Sequence, residues 1–268
     1  MTCSVFRTGR ETELFFIMID YHAHTNMSYC AEAALTPEIY ADLVKNDPEV
    51  DAVYITDHGM AVYFPEETAW KWEYIADSSM FDTQKDWGNA RLEEHLAKLA
   101  KFRDKGVFPG LEVEMMHDGR LTIDDSFRKR IDVLIGSVHY LHVDIDENRK
   151  VIFNKWRKHT LQLLGTGIDV LGHPFRWINN QIPLTRDIVG EIVREARNSG
   201  VAMELNGHYV VPTDADMLQL CAELGVPVSI GTDAHNIGEI GNFSYHLATI
   251  RAAGLSLADI KLFSPVKK

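Results

Sequence analysis

Seven short apolar runs along this chain each end in a histidine, a carboxylate or both, at the point where a strand would hand over to a loop. The first endings are His22 and His24 in IMIDYHAHT, Asp57 and His58 in VYITDHG, Glu112 in VFPGLEVE and His139 in VLIGSVH. They continue with His173 in IDVLGHP, Asn206 and His208 in VAMELNGH, and Asp233 and His235 in VSIGTDAH. In a closed parallel barrel the carboxyl ends of all strands lie on one rim, so residues far apart in sequence meet in one pocket. A ring of imidazoles and carboxylates there is a cage for several metal ions.

Helical patterns separate these endings. Thr36-Pro37-Glu38 predicts a helix with a threonine cap and a proline in its first turn, ending near Asp47-Pro48. ARLEEHLAKLAKFRDKG carries leucines at 92, 96 and 99 on one face and closes at Gly106. TRDIVGEIVREARNSG and TDADMLQLCAELG repeat the design, with threonine at the start and glycine at the end. Strand-helix alternation over about seven units predicts a parallel α/β barrel; an open doubly wound sheet is the alternative, and ligands on every strand end fit it less well.

At 268 residues and 46% hydrophobic content, one domain spanning 1–268 is expected. A net charge of −12 excludes the broad basic face that long nucleic acid or an anionic membrane would need. An anionic substrate must then be drawn in locally, by metal or by a few arginines. Cys3, Cys30 and Cys221 show no CxxC or paired spacing, which argues against a disulfide framework and suits a cytoplasmic setting. Arg7 and Arg10 precede the apolar LFFIMI, but that run is too short for a signal sequence and leads straight into the His22 motif, so it reads as the first strand. Residues 1–13 read as an extension, with Met18 an alternative start, and no stretch approaches the roughly 18 apolar residues of a membrane span.

One segment breaks the rhythm. Residues 60–88 are too long for an ordinary βα loop and carry Trp70, Trp72 and Trp87 with Tyr63, Phe64, Tyr74 and Phe81. Two readings stand: a helical insert packing its aromatics on the barrel, or a lid on the catalytic rim.

Singly, each motif is weak or has a bland explanation: HxH a hydrogen-bonded core pair, TDH a helix cap, GTDAH a turn, with SVH and GHP weak in isolation. Their coincidence at corresponding points of successive units is what core packing has no reason to produce. Two residues apart on a strand, His22 and His24 share a side and can clamp one ion. Glu112 is preferred over Glu114 as a ligand, Glu114 being left to hydrogen bonding or solvent. His95 and His159 read as surface or helix-flank residues, and His117, His142 and His246 as residues in polar surroundings without a ligand partner. His208 lies two residues past Asn206 and reads as facing the pocket without binding metal.

Together HAHT (22–25), TDH (56–58), GLE (110–112), GSVHY (136–140), GHP (172–174) and GTDAH (231–235) make the chain resemble, from about Ile17 onward, the polymerase and histidinol phosphatase (PHP) family of phosphoesterases. The resemblance implies a distorted (β/α)7 barrel with two or three divalent ions of zinc, manganese or iron. It puts His22, His24, Glu112 and Asp233 on a first metal, with Glu112 bridging to a second held by His139 and His173. A third would take His58 and His235 with a residue that is usually aspartate or histidine and is Cys30 here; Glu32 is a possible substitute. Asp233 with His235 or His58 is implied to orient the nucleophile or protonate the leaving group. Arg176, in GHPFR, is the arginine nearest a ligand motif and can grip a phosphate oxygen, the alternative being a surface salt bridge.

The expected function is therefore hydrolysis of a small phosphorylated metabolite, with L-histidinol phosphate the first candidate on the strength of GSVHY and the GTDAH stretch. A nucleotide or short-oligonucleotide phosphoesterase is the second enzyme reading, and a non-catalytic metal-binding regulatory domain the third. No membrane partner is expected, and the oligomeric state is left open.

Overall fold

A computed structural model describes residues 17–144 and 147–265. The expected extension at 1–13, with Cys3, Arg7 and Arg10, and the beginning of the LFFIMI run lie outside the described residues. Seven strands are present: β1 (Met18–Ala23), β2 (Val50–Ile55), β3 (Val107–Val113), β4 (Val133–Gly136), β5 (Val170–Leu171), β6 (Ala202–Asn206) and β7 (Val228–Gly231). They pair in parallel in sequence order. The ring closes where Asp233 N donates to His22 O at 2.6 Å and His24 N to Ala234 O at 3.3 Å. The open-sheet alternative is thereby set aside, and the (β/α)7 barrel holds.

The helices follow the predicted stops closely. After β1 comes α1 (Pro37–Asn46), and after β2 the short α2 (Gly59–Tyr63), α3 (Glu66–Ala69) and α4 (Glu73–Ala76) lead into α5 (Ser79–Leu99). Further along, α6 (Arg149–Leu164), α7 (Arg176–Asn179), α8 (Arg186–Ser199), α9 (Asp214–Leu224) and α10 (Ser244–Ala252) complete the outer layer. Gly200 and Gly225 end α8 and α9 at φ 70° and 68°, the left-handed conformation that glycine adopts without a Cβ penalty. The caps differ from expectation. Thr36, Thr185 and Thr213 occupy the N-cap positions, yet none makes a side-chain cap bond. Proline in the first turn of α1 and apolar burial of α8 through Val189, Ile192 and Val193 hold these starts instead.

Two apolar clusters divide the core. The larger lies between strands and helices. The smaller draws Tyr21, Tyr54, Val133, Ile135, Val170 and Ala202 from five strands and includes no helix residue, as the inside of a barrel must. Tyr21, Tyr54 and Phe108 stack in series at centroid distances of 5.0 and 5.1 Å. Phe263 abuts Tyr21 at 4.9 Å, and its backbone N–H is bonded to Val228 O at the first residue of β7. The amino-terminal end of the barrel is therefore stoppered by aromatics, and the site forms at the other end.

Residues 60–88 do more than one thing. Tyr63, Phe64, Tyr74 and Phe81 are buried. Trp87 stays exposed beneath the Arg91 guanidinium, whereas Trp70 and Trp72 line the cavity described below. No helix among the described residues is long and apolar enough to cross a membrane.

Replacing Phe263 by alanine should cost roughly 2 kcal/mol, less than a fully buried Phe→Ala because the ring is only half-buried. Urea unfolding measures it, and affinity for metal at the far end of the barrel should not change.

Candidate metal centre

The site begins with an irregularity in β1. Asp20 pairs with Val53 and Ala23 with Ile55, so β1 carries one extra residue against β2. A bulge reverses the phase of a strand. Tyr21 therefore joins the barrel interior while His22 and His24 also turn inward, their Nε2 atoms 3.1 Å apart. From the end of β3, Glu112 enters the same space fully buried. Its Oε2 lies 3.4 Å from His22 Nε2, 3.6 Å from His24 Nε2 and 2.7 Å from His58 Nδ1. Its Oε1 lies 3.0 Å from His173 Nε2 and 3.2 Å from His139 Nε2. Asp233 closes the group, with Oδ1 2.9 Å from His24 Nε2 and 3.4 Å from His22 Nε2.

Hydrogen bonds behind the imidazoles decide which nitrogens face inward. His22 Nδ1 donates to Glu204 Oε1 at 2.7 Å, because a carboxylate can only accept. His139 Nδ1 donates to Glu114 at 2.9 Å, and His235 Nδ1 to the Asp233 carbonyl at 2.7 Å. In each neutral ring the Nε2 lone pair is then left facing the site. Lone pairs of His22, His24, Glu112 and Asp233 thus converge at distances that need a positive charge among them. The buried Glu112 Oε2 and His58 Nδ1, though close, are not aligned as donor and acceptor and have no other hydrogen bond. Such a donor set fits divalent cations.

The proton affinities report the same field. Burial alone would lower His22, yet Asp233, Glu204 and Glu112 lift it well above the usual imidazole range. Burial would likewise raise Glu112, but His139, His22 and His58 hold it well below the ordinary carboxylate value. His24 is pushed down to about 3 by burial and then by His58 and His235. Rings of His24, His58 and His235 gather at the outer side, His24 lying 4.4 Å from His58 and 4.5 Å from His235 between centroids. Cys30 borders them: burial raises its thiol, but His58 and His235 bring it down to about 6.

A cavity of about 240 Å³ opens over this cluster, lined among others by Cys30, His58, Trp72, Arg176, Tyr209 and His235. Arg176 lies over the Tyr209 ring at 3.5 Å and makes no salt bridge among the described residues, contrary to the surface-pair alternative. His208 also lines the cavity and donates from Nδ1 to Glu239 at 2.8 Å.

All the predicted residues thus meet at one rim, and several others need correcting. His95 is buried rather than on a helix flank, its Nε2 3.2 Å from Asp57 Oδ2. His246 is also buried and bonds Gly231 O at 2.9 Å. Glu114 is inside, held by Thr122 and His139. Glu32 does not substitute for Cys30: it is exposed and accepts from Ile237 N at 3.1 Å.

Sequence reading passed over Glu204, which accepts from His22 Nδ1, His173 N (2.6 Å) and Asn206 Nδ2 (3.0 Å) at once. A glutamate in the middle of the apolar run VAMELN was the available signal. A Cβ on Gly231 would lie 2.4 Å from Glu204 Oε1 and 2.5 Å from His22 Cβ, so only glycine leaves room for that contact. Glu204→Gln leaves one donor facing an amide N–H, and should lower stability by about 1–3 kcal/mol and metal affinity 10- to 100-fold. Urea unfolding and chelator competition read the two effects separately.

Residues 20–208 match the PHP domain. A protein named probable phosphatase from Thermoanaerobacter sp. (strain X514) is 24% identical over 264 residues, spanning 94% of this chain and 92% of its own. A second probable phosphatase, from Caldanaerobacter subterraneus subsp. tengcongensis, is 22% identical over 244 residues, with 85% and 80% covered. The DNA polymerase/3'-5' exonuclease PolX of Bacillus subtilis is 29% identical over 143 residues, covering 52% of this chain and 23% of that protein. With the PHP match running through more than half of the chain, and with a histidine and carboxylate cage at the barrel rim, the chain belongs to the PHP family and is a metal-dependent phosphoesterase.

Proposed function

We propose that the chain hydrolyses a small phosphomonoester, with L-histidinol phosphate the first substrate to test, and that two or three zinc, manganese or iron ions serve it. The observation that carries this reading is the convergence of inward lone pairs beside a cavity whose arginine, Arg176, has no carboxylate partner among the described residues. His22, His24, Glu112 and Asp233 would hold one ion, Glu112 with His139 and His173 a second, and His58 with His235 and Cys30 a third. When bound, the ions neutralise phosphate charge and make water acidic enough to attack near pH 7.

The protein's own groups supply the rest. Arg176, kept flat against Tyr209, would receive two phosphate oxygens in its planar fork. Asp233, held by Asn206 Nδ2 at 3.1 Å, is placed to orient the attacking water. With only the first two ions bound, His235 or His58, at the cavity wall, would give the leaving alcohol its proton. His208 would border the organic part of the substrate together with Trp70 and Trp72.

Those indoles, with Tyr209, favour a second reading: a nucleotide or short oligonucleotide whose base stacks in the cavity. The exonuclease named in the PolX relative agrees with it. A non-catalytic regulatory domain is the remaining alternative. The free thiols of Cys30 and Cys221 suit a cytoplasmic setting.

Metal-reconstituted protein should turn over p-nitrophenyl phosphate, and a panel with histidinol phosphate and mononucleotides ranks the two substrate readings. Metal content without turnover would favour the regulatory one. His139→Ala should reduce turnover at least about 100-fold with far-UV dichroism unchanged, since the imidazole belongs to the rim and not the core. At pH 7 the metal-free protein should react with iodoacetamide at Cys30, whose thiol is held at about 6, and spare Cys221, pushed up to about 12 by burial. Zinc loading should protect Cys30 if sulfur is a ligand; equal labelling would exclude that role.

A further inference from the structure

We infer that His95, on α5, is a positioning residue of the metal centre, acting through Asp57 and Ser28 to keep His24 in the tautomer that presents Nε2. The inference rests on the reading of His24 as a metal ligand.

Proton counting carries the argument. The Ser28 hydroxyl is buried and has one proton, which goes to Asp57 Oδ1 at 2.7 Å. Its other two contacts, with His58 N and His24 Nδ1 at 3.1 Å each, must then be bonds that it accepts. His24 therefore carries a proton on Nδ1, and its Nε2, 2.9 Å from Asp233 Oδ1 and 3.1 Å from His22 Nε2, is free to present its lone pair to an ion lying among them. If Ser28 turned its proton toward His24, the ring proton would move to Nε2 and block the site. The direction of the Ser28 proton is thus a condition for metal binding.

Asp57 sets that direction. It is fully buried, and besides Ser28 it accepts from Thr25 N at 2.8 Å and Thr25 Oγ1 at 2.6 Å. Its Oδ2 faces His95 Nε2 at 3.2 Å, an oblique approach, and the ring nitrogen has no other hydrogen-bond partner. On α5 the buried residues Leu92, His95, Leu96 and Leu99 form one face at i, i+3, i+4 and i+7. A leucine at 95 would serve packing better than a buried imidazole, which is tolerable only with a polar partner. Asp57 is that partner. His95 completes the set of groups that surround the Asp57 carboxylate, and it ties the helix that closes residues 60–88 to the end of β2.

Two variants separate this role from packing, because the roles predict opposite orders. Zinc and cobalt dissociation constants, measured by chelator competition on the full chain, are the readout, with the cobalt visible spectrum as a signature of the ligand set. For positioning, His95→Leu should weaken binding about 10- to 100-fold and alter the cobalt spectrum. His95→Gln, whose amide can donate to Asp57, should stay within about three-fold of the parent. For packing alone, His95→Leu would bind as the parent does, and that result overturns the inference. Should His95→Leu fail to fold, Ser28→Ala carries the test: it removes the acceptor for His24 and should show the same loss, whereas parental affinity overturns the relay. If the parent protein bound no ion, the metal reading itself would fall. Imidazole ¹⁵N shifts would then test the hydrogen-bond relay by itself: Nδ1-protonated His24 in the parent with a mixed tautomer in His95→Leu supports it, and the same tautomer in both overturns it.

Discussion

The charge on Glu112 must be answered within a dry barrel end. Five imidazoles stand within 3.6 Å of its two oxygens, and none of the described residues supplies a lysine or arginine to them. A buried carboxylate is costly unless paired and hydrogen-bonded. Here the pairing is done by histidines that change protonation, or by ions that replace those protons. Metal loading and proton release are therefore two sides of one equilibrium. The surrounding carboxylates Glu204, Glu114 and Asp57 extend the arrangement outward, each engaging the far side of one imidazole of the cage directly or through a hydroxyl.

Backbone geometry carries part of the cost of this arrangement. His173 and Asp233 sit at φ 24° and 53°, in a region that residues with a Cβ rarely adopt. Each such residue stores about 1–3 kcal/mol, supported by the structure around it. His173 N is anchored to Glu204, and Asp233 N closes the barrel on His22 O, so the strain is held by bonds that also define the site. Trp72 is the third non-glycine residue in this region, at φ 57°, and its indole stacks beside His139 and Tyr140 at 5.8 and 6.0 Å. The aromatic wall is thereby coupled to an imidazole of the cage.

Much of the fold and the convergence of these side chains on one rim was legible along the chain. Strand-helix alternation, the terminal glycines of α8 and α9, and polar residues placed at the ends of apolar runs are local patterns, and local patterns survive in one dimension. The threonine caps show the limit of such reading: the residue type was right for the position, but proline and core burial hold the helix starts without a side-chain bond. His95 shows a different limit, since a histidine on a helix carries no mark of what the opposite surface will bring to it.

The sequence by itself determined that His22, His24, Glu112, His139, His173 and Asp233 would share one rim, because parallel strands with right-sized crossovers place their ends together whatever the details. Only the tertiary structure decided which nitrogen each ring presents. The proton on His22 is set by Glu204, 182 residues away in the chain, and the one on His24 by a serine whose own proton is committed to Asp57. It also decided that an extra residue in β1 turns both histidines inward, a matter of register against β2. Hydrogen-bond direction and register depend on which surfaces meet, and those meetings exist only once the barrel has closed.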